Sequence, residues 1–332
     1  MSSEKKFSQK AKIDGGTVRS LTEPRTPDPD PRTLYEEIIS MYSYGMSERD
    51  IKAKLKKTYN LEVPSDLISR VTDELTEEVR EWRNRPLEKS YSIVYLDALR
   101  VRNNMDGKSS LKNVYIALAV NIEGMKEVLG IWVAENDGVD FWTGVLAELK
   151  GRCVQDIFIA CVEGLEGFHE AASSIYPDTR VQLCIHHMVR HSTRFVSYKD
   201  VVKVRADLRA IYAAEGVEEG LMALENFGKT WNDKYPIIYP LWQRHWDLLK
   251  GIYGCPPEIR RTVYTTNAIE SMNRRLRKVI KKHSAFSTDE AIYKILYLAI
   301  RNVTEKWTMP VKGWKQTLNE FALEFGRDRV FL

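Results

Sequence analysis

Hydrophobic positions recur every three to four residues from Leu34 to Trp82, change to continuous or alternating runs from Tyr91 to Ile185, and return to helical spacing afterwards. The first stretch predicts three short helices. Leu34, Ile38, Ile39 and Tyr42 make one stripe, which Gly45 ends. Ser47 caps a second helix, SERDIKAKLKKTY, with Ile51 and Leu55 on one face. Pro64, Ser65 and Asp66 open a third, whose stripe is Leu67, Ile68, Val71, Leu75, Val79 and Trp82. Such a unit is a helix-turn-helix or a plain three-helix packing unit, and the residues leave both open.

The middle stretch predicts strands at YSIVYLDAL, VYIALAVNI, KEVLGIWVA, DIFIACV and RVQLCI, with a hairpin turn at Glu123, Gly124 and Met125. Two helices interleave: DFWTGVLAELKGR, with Phe141, Val145 and Leu149 facing in, and EGFHEAASSIY. The order β-β-β-α-β-α-β predicts an α/β fold, a mixed sheet with three antiparallel strands first, and matches the ribonuclease H-like fold. Residues 186–258 return to helix in VVKVRADLRAIYAA and GVEEGLMALENFGKTW, with dense aromatics from Trp231 to Trp246. Asn267 caps AIESMNRRLRKVIKK, and DEAIYKILYLAIRNVTEKW and GWKQTLNEFALEF follow. Trp132, Trp142 and Trp231 are expected in the core.

Composition narrows this only slightly. The chain has 332 residues, 43% hydrophobic and 29% charged, enough for two domains or one domain with a large insertion. That excludes fibrous and wholly disordered classes. Residues 1–32 are polar, with four prolines in TEPRTPDPDPRT, and are expected to be disordered. No apolar run is long enough to cross a bilayer, and the N-terminus lacks the apolar centre of a signal peptide, so a cytoplasmic protein without membrane partners is expected. Cys153, Cys161, Cys184 and Cys255 read as thiols rather than a disulfide framework. The net charge of +4 does not announce nucleic acid; charge placement must.

Phosphoryl transfer by two metal ions needs several carboxylates converging on one point. Asp97 interrupts the apolar run Ile93–Leu99, where a lone carboxylate needs a cation or another partner; Arg100 or Arg102 could also serve. Glu163 follows the fourth strand and Glu270 falls in the first turn of a late helix, both positions that a helix dipole alone would favour. In a ribonuclease H-like sheet these are the three places for catalytic acids. Arg274, Arg275, Arg277, Lys278, Lys281 and Lys282 follow Glu270 with no acid between them. A solvated helix face is the ordinary explanation of such a run; the missing counter-charge points to a DNA backbone.

The stretches YLDALRVR, KEVLGIWVAENDG, IACVEGLEGF, QLCIHHMVR, PPEIRR, YTTNAIESMNRRLRK and LYLAIRN resemble the mutator-type transposases of bacterial insertion sequences, over about residues 34–330. The resemblance implies a DDE transposase that cuts DNA at terminal inverted repeats and transfers the strand into target DNA, working as a nucleoid-associated homodimer with two Mg²⁺ ions, or Mn²⁺ in their place. It implies a helical DNA-binding or dimerisation domain at 33–88, a ribonuclease H-like catalytic domain at 89–198 completed by helices at 259–332, and an all-helical insertion at 199–258. Asp97, Glu163 and Glu270 fall at the three catalytic, metal-binding positions. At the second the family pattern is C-V-D-G-L-K-G-F, whereas this chain has Glu163 for the Asp and Glu166 for the Lys. The added methylene moves the carboxylate by roughly a bond length, which bears on catalysis. Asp156 lies at the wrong end of that strand to substitute. The family's longer region ahead of the helix-turn-helix has no counterpart in residues 1–32. Cys184 and His187 match a Cys-x-x-His element; His186, His191 and Cys255 give no regular second pair, so a supporting place beside the acids is expected rather than a zinc site. Arg190, Asn267, Asn273 and the basic run are expected at DNA. Trp242 and Trp246, four apart on a presumed helix, are core residues or a stacking platform for an unpaired base. Two other readings remain: a silent relative that occupies transposon ends, and a ribonuclease acting on RNA.

Overall fold

The computed structural model describes residues 31–43, 46–105, 108–164, 166–264, 267–281, 286 and 288–330. The segment expected to be disordered, up to residue 30, lies outside these residues, as do Gly45, Lys282 and the side chain of Asn267.

Three helices come first: α1 (Pro31–Ser43), α2 (Glu48–Tyr59) and α3 (Ser65–Asn84). Ser47 caps α2 through a reciprocal pair with Asp50, which satisfies helix-end donors that water would otherwise have to meet. Ile38, Ile51, Leu55, Ile68 and Leu75 are buried together, and Tyr297 and Leu298 from a distant helix complete that cluster.

Five strands follow: β1 (Ser90–Met105), β2 (Lys108–Asn121), β3 (Lys126–Ala134), β4 (Asp156–Val162) and β5 (Arg180–Leu183), in the order β3-β2-β1-β4-β5. β1 pairs antiparallel with β2, and β2 with β3, while β4 runs parallel to β1 and β5 parallel to β4. The fold is thus mixed α/β. The β2–β3 turn sits where the sequence places it. Asn121 Oδ1 accepts the backbone N–H groups of Glu123 and Met125 at 3.1 and 2.8 Å, and Gly124 has φ +82° with the Trp314 ring where a Cβ would be.

The parallel strands are joined through α4 (Val139–Gly151) and α5 (Phe168–Ile175), which cover one face of the sheet around Trp142 and Phe168. The other face is covered by α11 (Pro257–Tyr264), α12 (Asn267–Ile280), α13 (Asp289–Thr304) and α14 (Trp314–Phe325), followed by the short α15 (Arg327–Val330). Because both faces are covered, the central strands are apolar on both sides, which is why they read as continuous runs. Between β5 and α11 lie α6 (Ile185–Thr193), α7 (Val201–Tyr212), α8 (Val217–Trp231), α9 (Ile238–Arg244), α10 (Trp246–Lys250) and a 3₁₀ turn (Gly251–Gly254). Val204, Leu208, Leu224, Phe227, Trp231 and Trp242 form a core of their own there. Among the described residues no helix is long and apolar enough to cross a membrane.

Three details depart from the sequence reading. β1 and β2 run on past Leu99 and before Val114 as a long two-stranded ribbon, Arg100 facing Asn113 and Arg102 facing Leu111. β5 stops at Leu183, because Cys184 already holds the N-cap position of α6. The helix presumed to carry both Trp242 and Trp246 is two, broken at His245.

Candidate active site

The register of the parallel strands builds the site. Leu96 on β1 is opposite Val162 on β4, and Val162 opposite Leu183 on β5. One residue further along β1, where its parallel pairing with β4 has ended, and just past β4 come Asp97 and Glu163, on adjacent strands at the end of the sheet's parallel part, where open α/β sheets collect their ligands. α6 starts two residues after β5 and brings His187 to the same point. Asp97, Glu163 and His187 each present one ligand atom, all within 4.8 Å of one another. His187 Nε2 lies 3.6 Å from Asp97 Oδ2 and 3.4 Å from Glu163 Oε2.

Asp97 is 0% exposed. It accepts the backbone N–H of Ala98 at 2.7 Å and the side-chain amide of Asn273 on α12. Neither Arg100 nor Arg102 is seen paired with it. Glu163 keeps 42% of its side-chain surface exposed. Crowding by surrounding atoms and then the neighbouring Asp97 push its carboxyl up to about 8, against the pull of Arg190 and Arg277. Burial also holds His187 below the ordinary histidine value despite Asp97. His187 Nδ1 is buried with no hydrogen-bond partner among the described residues. Burial pushes the Cys184 thiol up to about 12, so it is protonated at neutral pH.

The loop leaving Glu163 turns sharply. Gly164 and Gly167 have φ +54° and +74°, and a Cβ on Gly167 would lie 2.3 Å from the backbone N of Val139. Glycine is therefore required where the loop presses against the start of α4. Asp156, at the far end of β4, is held by Arg329 at 2.6 and 2.8 Å.

Glu270 lies on the same opening but outside the trio's span. Its Oε1 is 2.9 Å from Nδ1 of His186, which burial holds below the usual histidine value. Adjacent histidines in the first turn of α6 thus address different acids, His186 Glu270 and His187 both Asp97 and Glu163. A cleft of about 480 Å³ is lined by His186, His187, Arg190, Glu270, Asn273, Arg274, Arg277, Lys278 and Lys281. Arg275 on the same helix is exposed but does not line it. Acids and imidazoles crowd one part of the site while five cations line the cleft. Asn273, expected at DNA, is 3% exposed and spends its amide on Asp97.

The stacking platform at Trp242 and Trp246 is not present in this structure. Trp242 is 0% exposed, its indole N–H on Ser192 Oγ at 2.8 Å, and Trp246 packs against Tyr253 on the next short helix. Helical spacing alone could not tell a packed indole from a free one. Trp132, Trp142 and Trp231 are buried. His186 and the role of Asn273 went unforeseen; the doubled histidine after Cys184 was the signal for the first.

A family model described as Transposase, Mutator family, matches residues 28–310. The chain is 44% identical over 337 aligned residues to the transposase for insertion sequence element ISRM3 of Rhizobium meliloti (strain 1021), covering 98% of this chain and 84% of that one. It is 37% identical over 312 residues to a probable transposase for insertion sequence element of Corynebacterium diphtheriae, covering 88% and 91%. With a family match across most of its length and relatives this similar, the chain belongs to the Mutator family of transposases.

Proposed function

We propose that this chain is a DDE-type transposase that cuts DNA at the inverted-repeat ends of an insertion sequence and joins the freed ends to target DNA, using Asp97, Glu163 and Glu270. The observation that carries the reading is the meeting of Asp97, Glu163 and His187, the last of which also lines a cleft rich in cations. The strand order β3-β2-β1-β4-β5 supports a ribonuclease H-like domain, with residues 199–258 as its insertion and 33–88 as a helical DNA-binding unit.

The residues fit a divalent cation. Burial and then the adjacent Asp97 push the Glu163 carboxyl up to about 8, so that it holds a proton at neutral pH, and a neutral imidazole shares their site. Carboxylates suit Mg²⁺, and the added imidazole suits Mn²⁺ as well. When bound, such ions, two on this reading, acidify the attacking water and neutralise charge on the leaving oxygen. Asp97 is kept from rotating by Ala98 and Asn273. Glu270 is held at the cleft by His186. Arg190, Arg274, Arg277, Lys278 and Lys281 hold phosphates along the strand to be cut. In cleavage the water oxygen bonds to phosphorus as the P–O3′ bond breaks and the 3′ oxygen takes a proton. In joining, that hydroxyl oxygen bonds to a target phosphorus as the target P–O3′ bond breaks, and the released target 3′ oxygen takes the proton. Two element ends must meet, so a homodimer is part of the proposal.

In the N-terminal unit, charge favours α2 over α3 as the face turned to DNA. α2 exposes Arg49, Lys54 and Lys57. On α3 Arg70 and Arg80 are paired with Asp66 and Glu77, and Asp73, Glu74 and Glu81 are exposed besides.

The test is cleavage of labelled terminal-repeat duplex with and without Mg²⁺ or Mn²⁺. Metal-dependent nicking by the parent chain, reduced on the order of 10²–10³-fold or more in Asp97→Asn with DNA binding retained, is expected. The departure at position 163 favours one second reading, a silent relative that occupies transposon ends. It prevails if the parent binds but does not cut while Glu163→Asp does. Preferential cutting of an RNA–DNA hybrid would instead favour a ribonuclease.

A further inference from the structure

The segment between α6 and α7 carries two aromatic side chains that the fold leaves uncovered. Phe195 is 56% exposed and Tyr198 93%. An aromatic ring left in water gains nothing for folding, so a pair of them within four residues marks a contact surface. The charge around them has one sign. Arg190, Arg194 and Lys199 are exposed in the same stretch. The Arg194 guanidinium lies 5.7 Å from the Phe195 ring, and the His191 imidazole meets that ring edge-on at 6.2 Å. The nearest acid in sequence, Asp200, is already engaged by Lys234, Tyr235 and Ser197. A second group of exposed apolar residues, Val217, Leu221 and Met222 on α8, makes the contrast: it lies among Glu218, Glu219 and Glu225, the wrong sign for a phosphate chain.

We propose that Phe195 and Tyr198, flanked by Arg190, His191, Arg194 and Lys199, form a stacking surface for unpaired nucleobases of a DNA strand that leaves the active-site cleft. Exposed aromatics interleaved with cations recognise single-stranded nucleic acid through ring stacking and phosphate neutralisation, with little regard for sequence. The distance suits this. α6 places His187 and Arg190 at the cleft, and Phe195 is eight residues beyond His187, about 12 Å at helical rise. That is about three to four nucleotide steps at duplex rise and fewer for an extended unpaired strand. The surface fills the stacking role that the buried Trp242 cannot, and it rests on the DNA reading of the cleft.

The test uses the full chain and a short duplex of arbitrary sequence, either blunt or with a single-stranded extension of a few nucleotides carrying 2-aminopurine. The parent is expected to bind the extended duplex roughly tenfold more tightly than the blunt one, with the probe's fluorescence quenched by stacking. The Phe195→Ala/Tyr198→Ala variant loses that increment and the quenching but binds blunt duplex as before, while Phe195→Tyr/Tyr198→Phe keeps both. The proposal is overturned if the alanine variant keeps the increment, if it loses blunt and extended duplex alike, or if it changes only the sedimentation of the protein, as a contact between two copies would. A parent that binds blunt duplex with no increment sinks this inference alone. A parent that binds neither sinks the DNA reading beneath it.

Discussion

Two neighbouring carboxylates are in conflict until a cation joins them, and this conflict governs how the site responds to pH. The Glu163 carboxyl, raised from 4.5 to about 8 by crowding and by Asp97, binds its proton more tightly folded than unfolded. The metal-free native state is therefore favoured by that proton below the unfolded value and loses this stabilisation as pH rises through about 8. A divalent ion must displace the proton, while His186 and His187, held below 6.5, are already neutral above that pH. The thermal stabilisation given by a fixed Mn²⁺ concentration is accordingly expected to grow between pH 6.5 and 8 and to level off above. Melting curves with and without the ion check this, and an increment that is flat or falls with pH contradicts it. Much at this scale was legible. A single acid inside the apolar run Ile93–Leu99 singles out Asp97, and the end of the DIFIACV strand singles out position 163. What could not be read was which of two adjacent histidines serves which acid, because that depends on where α6 begins, and β5 ends two residues earlier than its apolar run suggests.

At the scale of elements, the loop after β4 sets the position of Glu163, and α12 supplies most of the lining of the cleft. Gly167→Ala forces a side chain into a left-handed backbone conformation and into the backbone of Val139. A loss of about 2 kcal/mol or more in urea unfolding is expected, whereas Gly164→Ala, with φ +54° but nothing within 4 Å, costs about 1 kcal/mol. Equal costs at the two positions would mean that the loop does not press on α4. On α12, removing one of the cations proposed to hold phosphate, as Arg274→Gln or Lys278→Gln does, is expected to lower the slope of log affinity against log salt by about 0.9. Fluorescence anisotropy at several salt concentrations measures it, and an unchanged slope removes those residues from the DNA surface. The strands were legible because apolar runs bounded by turn residues leave little choice. The long ribbon of β1 and β2 was not, because beyond Leu99 its inward positions alternate with charge, as in Val101, Arg102 and buried Asn103. Asp106-Gly107 between the two strands was the hairpin signal available. The break at His245 left no such mark.

In the whole molecule, the N-terminal helices are not a freely tethered head. Tyr297 and Leu298 of α13 lie in their core, and Glu78 of α3 accepts from Tyr297 at 2.6 Å and Arg301 at 2.9 Å. Thr76 donates to Glu290 at 2.8 Å on the same helix. α13 also packs on the sheet, so the two parts share one element. Leu298→Ala is expected to destabilise both together by about 2–5 kcal/mol, with far-UV circular dichroism and tryptophan fluorescence shifting as one transition. Separate melting of the N-terminal helices would show that the docking adds nothing. This long-range packing could not be read from the sequence, since the stripe of α13 looks the same whichever partner covers it. The claim on which the rest depends is that Asp97, Glu163 and His187 jointly hold a divalent cation. Titration calorimetry of Mn²⁺ into the full chain at pH 7.5 tests it most directly. Saturable binding is predicted for the parent, weakened at least about tenfold in Asp97→Asn and in His187→Ala. Equal binding by the parent and both variants, or none by the parent, would contradict it.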